Sequence, residues 1–323
     1  MISIKKVTSF LKSYNSFALF THISPDADAL GSTKALKIAL ESLGKTVYVF
    51  CDGAPTKNLE FLEAELCTDT SVLENVEVGV LVDCNMPYRA GKYADDFEKL
   101  PVKMCIDHHI REKYRFNLRF VDHTSPSTCD LVYKIINGLK VKITKELATL
   151  LYAGTATDTG CFKNTNTNAG CHRVAGSLID KKFDLEKTNF YLFKFKPKKQ
   201  MDFYQYCFKH LQYFDNDKIL VVTVPYKEYK KIADVVETAG IFEFLTGIEG
   251  NEIILKIIEK EPKVYSVALR SNHFANVQEI ASQFGGGGHK MASGCKFEGD
   301  YKTNLEKLLY ACMSELDKHD RID

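Results

Sequence analysis

The chain has 323 residues, 45% hydrophobic and 26% charged, with a formal net charge of +1; it can bury two cores, and so balanced a charge creates no global positive field for long nucleic acid. A small phosphorylated ligand fits that balance better, with a local basic groove as the open exception. No run of about 18 apolar residues exists, so no membrane span is expected; the opening MISIKKVTSFLKSYNSFALF lacks the features of a secretory signal, and ten scattered cysteines without a Cys-x-x-Cys pair read as reduced thiols in the cytoplasm.

In chain order, 17–22 (FALFTH) predicts a strand ending on a polar turn, 27–44 a helix closed by glycine, and 45–50 (KTVYVF) the next strand. Residues 76–84 (VEVGVLVDC) and 102–109 (VKMCIDHH) are two more buried strands, and 128–138 and 144–158 are helices. Strand and helix alternation implies an α/β domain, a parallel sheet with helices on both faces, over 1–188. The aromatic and basic stretch in 189–214 reads as a linker helix, its lysines (194, 196, 198 and 199) as a solvated face. Strands at 218–225, 251–260 and 264–271 and a helix at 276–284, before the glycines at 285–288, build a smaller α+β domain with a mixed sheet over 215–323.

Four polar clusters interrupt the first domain: His22, Asp26 and Asp28 in HISPDAD, Asp83 in VLVDC, Asp107, His108 and His109 in CIDHH, and Asp158 in GTATDTG. Each alone has an ordinary explanation as a turn, a cap or a helix end. Together they differ, because three of them end strands of one parallel sheet, where ligands gather. Five carboxylates and three imidazoles in one crevice repel unless cations lie between them. Two divalent ions meet that need, and such pairs activate water and clamp a phosphoryl group.

The order of THISPDADALGS, VDCNMPYR, IDHH and YAGTATDTGCF, followed by SVALRSN and NVQEIASQFGGGGHKMASG, resembles the DHH phosphoesterase family with its C-terminal DHH-associated domain. Within it the chain is similar to the bacterial bifunctional oligoribonuclease and pAp phosphatase (nanoRNase) subgroup. The resemblance covers nearly the whole chain. It implies that His22 and Asp26 hold one metal, Asp28, His108 and Asp158 a second, and that Asp83 bridges both. It places Asp107 behind a metal-binding imidazole and His109 toward the substrate phosphate, so that Asp83, Asp107 and His109 serve catalysis. Arg270, Ser271, Asn276, Gly286, Gly287, Gly288 and His289 would grip the far end of the substrate. The physical reading agrees in part: glycines expose backbone N–H groups to phosphate and Arg270 offers a planar fork, although a glycine run is also an ordinary flexible loop.

The implied function is two-metal hydrolysis of short RNA oligonucleotides and adenosine 3′,5′-bisphosphate (pAp), with Mn²⁺ suited to the mixed ligand set and Mg²⁺ or Co²⁺ as substitutes. Long nucleic acid and membrane are not expected partners, and a homodimer is allowed. Rival readings are hydrolysis of linear dinucleotides such as pGpG or pApA, and a non-enzymatic nucleotide sensor, against which the intact motifs count. A family II pyrophosphatase is opposed by GGGGHKMASG, and a single-strand DNA exonuclease by the little room for extra domains.

Overall fold

The apolar runs of the first half become strands that lie side by side in one direction. A computed structural model describes residues 2–62, 65–109, 113–233 and 238–319, and the chain divides into two units, Met1–Phe195 and Lys196–Asp323. The first unit runs α1 (Ile4–Lys12), β1 (Ser16–Phe20), α2 (Ala27–Glu41), β2 (Thr46–Phe50), β3 (Val78–Val82), α3 (Ala94–Lys99), β4 (Val102–Asp107), β5 (Leu118–Val121), α4 (Thr128–Leu139), α5 (Lys145–Asp158), α6 (Ala169–Ile179) and α7 (Leu185–Asn189). Its five strands are all parallel in the order β2-β1-β3-β4-β5. After β2 the chain crosses back over β1 to add β3, so a switch point lies between β1 and β3, where such sheets open a crevice at their carboxyl ends.

Alternation sorts the side chains onto two buried faces. Phe17, Leu19, Val78, Val80 and Val82 pack with residues of α2, α4 and α5. Ala18, Phe20, Phe50 and Leu81 pack with Phe97 of α3 on the other face; there the Phe20 ring stacks on Phe50 at 5.1 Å and meets the Phe97 edge at 5.5 Å. The α/β sheet covered on both sides is as expected. β5, only four residues long, escaped the sequence reading.

The second unit contains α8 (Lys198–Lys209), β6 (Leu211–Phe214), β7 (Ile219–Val224), α9 (Tyr226–Tyr229), α10 (Phe242–Leu245), β8 (Ile253–Glu261), β9 (Val264–Ser271), α11 (Val277–Ser282), β10 (Gly287–His289), β11 (Ala292–Glu298) and α12 (Tyr301–His319). The six strands run β10-β11-β9-β8-β7-β6, with β7 and β8 parallel and the other pairs antiparallel. Ile219, Val221, Ile253 and Leu255 face α11 and α12, whereas Leu220, Val222 and Ile254 face Phe203 and Tyr204 of α8 and Phe242 of α10. Segment 189–214 is thus not one helix: Phe190–Lys194 forms a π turn and Leu211–Phe214 an edge strand. Among the described residues no helix is long and apolar enough to cross a membrane.

In the first unit α5 passes close to α2 at Gly154. A Cβ on Gly154 would meet the Asp28 Oδ1 at 2.5 Å and the Asp28 Cα at 2.8 Å, and would press on the Cys129 sulfur. Gly154→Ala should therefore cost roughly 1–3 kcal/mol in urea unfolding through overpacking. Gly176→Ala in α6, where an added Cβ meets nothing within 4 Å, should instead gain about 0.4–1 kcal/mol. Equal effects of the two changes would refute the tight crossing.

Candidate metal centre and active site

The three adjacent strands β1, β3 and β4 end in polar residues, and the chain uses backbone groups to hold each one. After β1, Ser24 adopts a left-handed φ of 54°, which turns the chain so that Asp26 becomes the N-cap of α2. The Asp26 Oδ1 accepts from the N–H groups of Asp28 and Ala29 at 3.0 and 2.9 Å, leaving Oδ2 turned to His22 Nε2 at 3.9 Å. His22 Nδ1 faces the Ile23 carbonyl at 2.9 Å, which assigns the proton to Nδ1 and leaves Nε2 as a ligand atom.

Asp83 follows β3 with φ 60°, a conformation that Asp tolerates better than most residues. It is 1% exposed. Its Oδ2 lies 3.5 Å from His22 Nε2, and its Oδ1 lies 3.8 Å from His108 Nε2 and 3.7 Å from His109 Nδ1, so the two oxygens of one carboxylate face different imidazoles. The Thr128 hydroxyl donates to Asp83 Oδ1 at 2.8 Å.

Asp28 is fully buried and takes N–H bonds from Thr128 at 2.7 Å and Cys129 at 2.8 Å, the first two residues of α4. A helix N-terminus is where a buried carboxylate is best tolerated. Ser127 caps that helix by accepting from the Asp130 N–H at 3.1 Å. The helix start at 128 is as expected, and the Ser-x-x-Asp spacing at 127–130 agrees with it; nothing in the sequence marked Thr128 as a contact of the site. His108 Nε2 lies 3.0 Å from Asp158 Oδ2 and 4.0 Å from Asp28 Oδ2, with its Nδ1 toward the Ser125 carbonyl at 3.4 Å.

These positions group as His22, Asp26 and Asp83, as Asp28, His108 and Asp158, and as Asp83, His108 and His109, each set offering ligand atoms within 4.8 Å of one another. Among the described residues none of the five carboxylates has a lysine or arginine partner. Mixed imidazole and carboxylate donors without a resident counter-charge suit divalent cations. The histidine that Asp107 orients is His109: the Asp107 Oδ1 accepts from His109 Nδ1 at 2.8 Å and from the His109 N–H at 3.1 Å, closing a turn two residues on. Its Oδ2 is buried without a hydrogen-bond partner.

Charge sets the protonation of this cluster. Burial, then the fields of Asp28, Asp26, Asp158 and Asp107, pushes the Asp83 carboxyl well above its usual range. Burial and Asp28 push Asp158 up to about 8. Burial acts against a charged His108, but the bond to Asp158 and the field of Asp28 outweigh it and raise the imidazole to about 9. For Asp107 burial is likewise outweighed, by the bonds from His109, and its carboxyl sits below the usual range. Burial and the same carboxylates push the Cys84, Cys105 and Cys129 thiols well up, so they are neutral packing groups.

In the second unit, Arg270, Ala292 and His289 form one cross-strand row, since Arg270 pairs with Ala292 and Ala292 with His289. Directly opposed residues share a face, so the expected arginine and histidine project together. The Arg270 guanidinium lies 4.5 Å over the Phe242 ring, and His289 is exposed. The glycine run is not a flexible loop along its whole length: Gly287 and Gly288 belong to β10, and a Cβ on Gly288 would strike Ala292 O at 2.6 Å, while Gly286 lies against the Gly294 carbonyl. Ser271 donates to Glu252 Oε1 at 2.8 Å. Asn276 caps α11 through Oδ1. Glu252, which nothing in the sequence marked, is 4% exposed and also accepts from the N–H groups of His273, Phe274 and Ala275 at 3.2, 2.8 and 2.8 Å. It thereby shapes the loop that follows Arg270.

Comparison with known proteins adds to this geometry. A family model described as DHH family, N-terminal domain, matches residues 16–155, and one described as DHHA1 domain matches 216–316. The bifunctional oligoribonuclease and PAP phosphatase NrnA of Mycoplasma pneumoniae is 28% identical over 319 residues, 97% of each chain. Its namesake in Thermus thermophilus is 29% identical over 300 residues, 92% of this chain and 89% of the other. An exopolyphosphatase-related protein from Bacteroides fragilis has the same fold, with a TM-score of 0.87 at 22% identity over 96% of this chain and 95% of its own.

The raised carboxyls and imidazole mean that the cation-free cluster carries protons at pH 7. Divalent cations must displace them. Cation affinity should therefore rise from acid toward pH values of about 8 to 9, where Asp158 and His108 lose theirs. Calorimetric titrations in two buffers of different ionisation enthalpy should give different apparent heats. Identical heats would contradict the protonated cluster.

Proposed function

Because this chain belongs to the DHH family of phosphoesterases and carries a DHHA1 domain behind its catalytic unit, we propose that it hydrolyses short oligoribonucleotides and pAp in the cytoplasm with two divalent cations, Mn²⁺ foremost. The observation that carries this reading is the Asp83 carboxylate facing His22 with one oxygen and His108 with the other, which suits a bridge between two cation sites. The substrate classes follow relatives of nearly equal length that bear those activities in their names. Mn²⁺ follows the mixed nitrogen and oxygen donors.

His22 and Asp26 would hold one cation and Asp28, His108 and Asp158 the other. When bound, such a pair lowers the pKa of water and draws off charge from a phosphoryl group. The chain's own residues do the rest. With Nδ1–H held by Asp107, His109 has Nε2 left to meet substrate, and in its protonated form it donates to a phosphoryl oxygen as charge builds there. Asp28, fixed by two amides of α4, cannot rotate away when the site reorganises. In the second unit Arg270, propped on Phe242, supplies a fork for the phosphate at the other end of pAp or of a dinucleotide, and His289 supplies a second donor. Ser271 and Asn276 keep the adjoining loop in place.

The test is turnover of a panel: pAp, dinucleotides, a pentanucleotide, long RNA and pyrophosphate. With Mn²⁺, the first three should be hydrolysed and the last two poorly or not at all, and exhaustive chelation should abolish activity. Asp83→Asn, which keeps a left-handed backbone tolerable, should lower kcat on the order of 10³-fold or more, as for members of a unit that act together. Asp107→Ala should lose about 10–100-fold by loosening His109. Full turnover without cations, or a near-normal Asp83→Asn enzyme, would reject the mechanism.

The division between the two units gives a second test. Arg270→Ala and His289→Ala should keep the cation content yet lose roughly tenfold or more in kcat/KM on pAp and dinucleotides, since a charged contact to phosphate is worth about 1.5–3 kcal/mol. Bis-p-nitrophenyl phosphate offers no distal phosphate, so its hydrolysis should fall much less. Equal losses on both substrates would assign these residues to the fold or the chemistry.

A further inference from the structure

Beyond His109 the chain returns to the sheet through Lys113, Tyr114, Arg115 and Phe116, then Asn117, Leu118 and Arg119. Three cations alternate with two rings. Asn117 ties this stretch to β4 away from the catalytic end, its N–H donating to the Lys103 carbonyl and its Oδ1 accepting from the Lys103 N–H, both at 2.8 Å. Arg119 reaches back along β5: its Nη2 donates to the Tyr114 carbonyl at 2.6 Å and its guanidinium lies 4.8 Å over the Phe116 ring. The Tyr114 and Phe116 rings meet edge to face at 4.6 Å, and the Tyr114 hydroxyl donates to Glu98 of α3 at 2.5 Å. The ledge is therefore held in shape by its own side chains together with α3 and β4, and both rings are partly buried against the core beneath. Lys113 and Arg115 are exposed on it, and among the described residues neither is paired with a carboxylate. These residues line an open concavity of about 420 Å³.

We propose that this ledge is a second binding site, which holds the trailing nucleotides of a single-stranded oligonucleotide whose scissile end lies in the Asp and His crevice. The inference rests on the reading of the crevice given above. Cations interleaved with rings suit a flexible strand, since phosphates meet the cations while bases stack on the rings whatever their sequence. Position fits as well. Lys103 lies four residues before Asp107 on β4, or about 13 Å at roughly 3.3 Å per residue. Roughly four stacked nucleotides at about 3.4 Å each span that distance. The ledge thus gives a chain of near-neutral net charge a local grip, matched in length to short oligomers and of no use to pAp. An acidic peptide could meet the same cations, but nothing joins such a ligand to the phosphoryl crevice, whereas β4, which ends at Asp107, also holds the ledge through Lys103 and Asn117.

The experiment compares the wild-type chain with K113A/R115A and with the charge-preserving K113R/R115K. Binding of a fluorescent RNA pentanucleotide is read by anisotropy in chelator across a salt series, and kcat and KM are read with Mn²⁺ for the pentanucleotide and for pAp. K113A/R115A should raise Kd and KM for the pentanucleotide roughly tenfold, reduce the salt slope by about 1 to 2, and leave kcat/KM for pAp unchanged. K113R/R115K should stay near wild type. Unchanged pentanucleotide binding in K113A/R115A, an equal loss on pAp, equal loss in K113R/R115K, or an acidic peptide that competes fully would each overturn the ledge. Wild-type chain that binds the pentanucleotide in this way yet hydrolyses neither substrate would leave the ledge standing and remove the proposed reaction instead.

Discussion

The arrangement of the first unit depends on one buried carboxylate. Asp28 has no access to solvent and no lysine or arginine partner among the described residues, and it is held by the first two amides of α4, with the His108 imidazole 4.0 Å away. That contact fixes α4 against α2 and brings Thr128 onto Asp83, the residue after β3. It also requires α5 to pass close by, which only a glycine at 154 permits. Through these links the N-terminus of one helix, the carboxyl end of a strand and the last turn of another helix are set relative to one another before any ligand arrives. Without the α4 amides, Asp28 would be an unpaired charge in the interior, a change that commonly costs several kcal/mol.

The rest of the centre follows from the same economy of backbone donors. Asp26 spends one oxygen on capping α2, and Asp107 spends one on the amide and ring of His109. Each keeps its other oxygen. What remains is an excess of acceptors with no lysine or arginine bound to them among the described residues, which is stable only with protons or cations between the carboxylates. The same design makes the imidazoles directional. His22 and His108 turn Nδ1 to backbone carbonyls and Nε2 toward the carboxylates, whereas His109 turns Nδ1 to Asp107, and in the proposed function this difference would separate a cation ligand from a group that addresses substrate.

Much of this was legible in the sequence because the parallel sheet converts chain order into proximity. Polar residues at the ends of three strong apolar runs must meet if those strands are neighbours, and β1, β3 and β4 are neighbours. Asp158 is different, since it arrives at the end of a helix: strand order does not bring it to the others, and its role was read from the resemblance of TDTG to a family motif. Short or contextual features were not legible. β5 is four residues of mixed character stabilised by pairing with β4, and β10 is a glycine run that becomes a strand only because β11 lies beside it. Thr128, Glu252 and Phe242 act through partners far away in sequence, so no local pattern marks them. Which imidazole Asp107 addresses was not legible either, because adjacency in sequence does not tell which of two consecutive rings a carboxylate reaches.

Eight of the ten cysteines are buried, and Cys161, just beyond Asp158, is exposed. Cys84, Cys105 and Cys129 lie among the carboxylates of the centre, whose field opposes thiolate formation, while Cys207, Cys295 and Cys312 are buried in the second unit. A neutral, enclosed sulfur is a poor nucleophile toward alkylating reagents and peroxide. The folded chain therefore presents Cys161 first to such reagents, with the half-buried Cys67 next, and each buried sulfur that reacts marks a region that has opened. The distribution of sulfur, which takes no part in the chemistry, makes the protein a record of its own breathing, with separate marks for the two sheets.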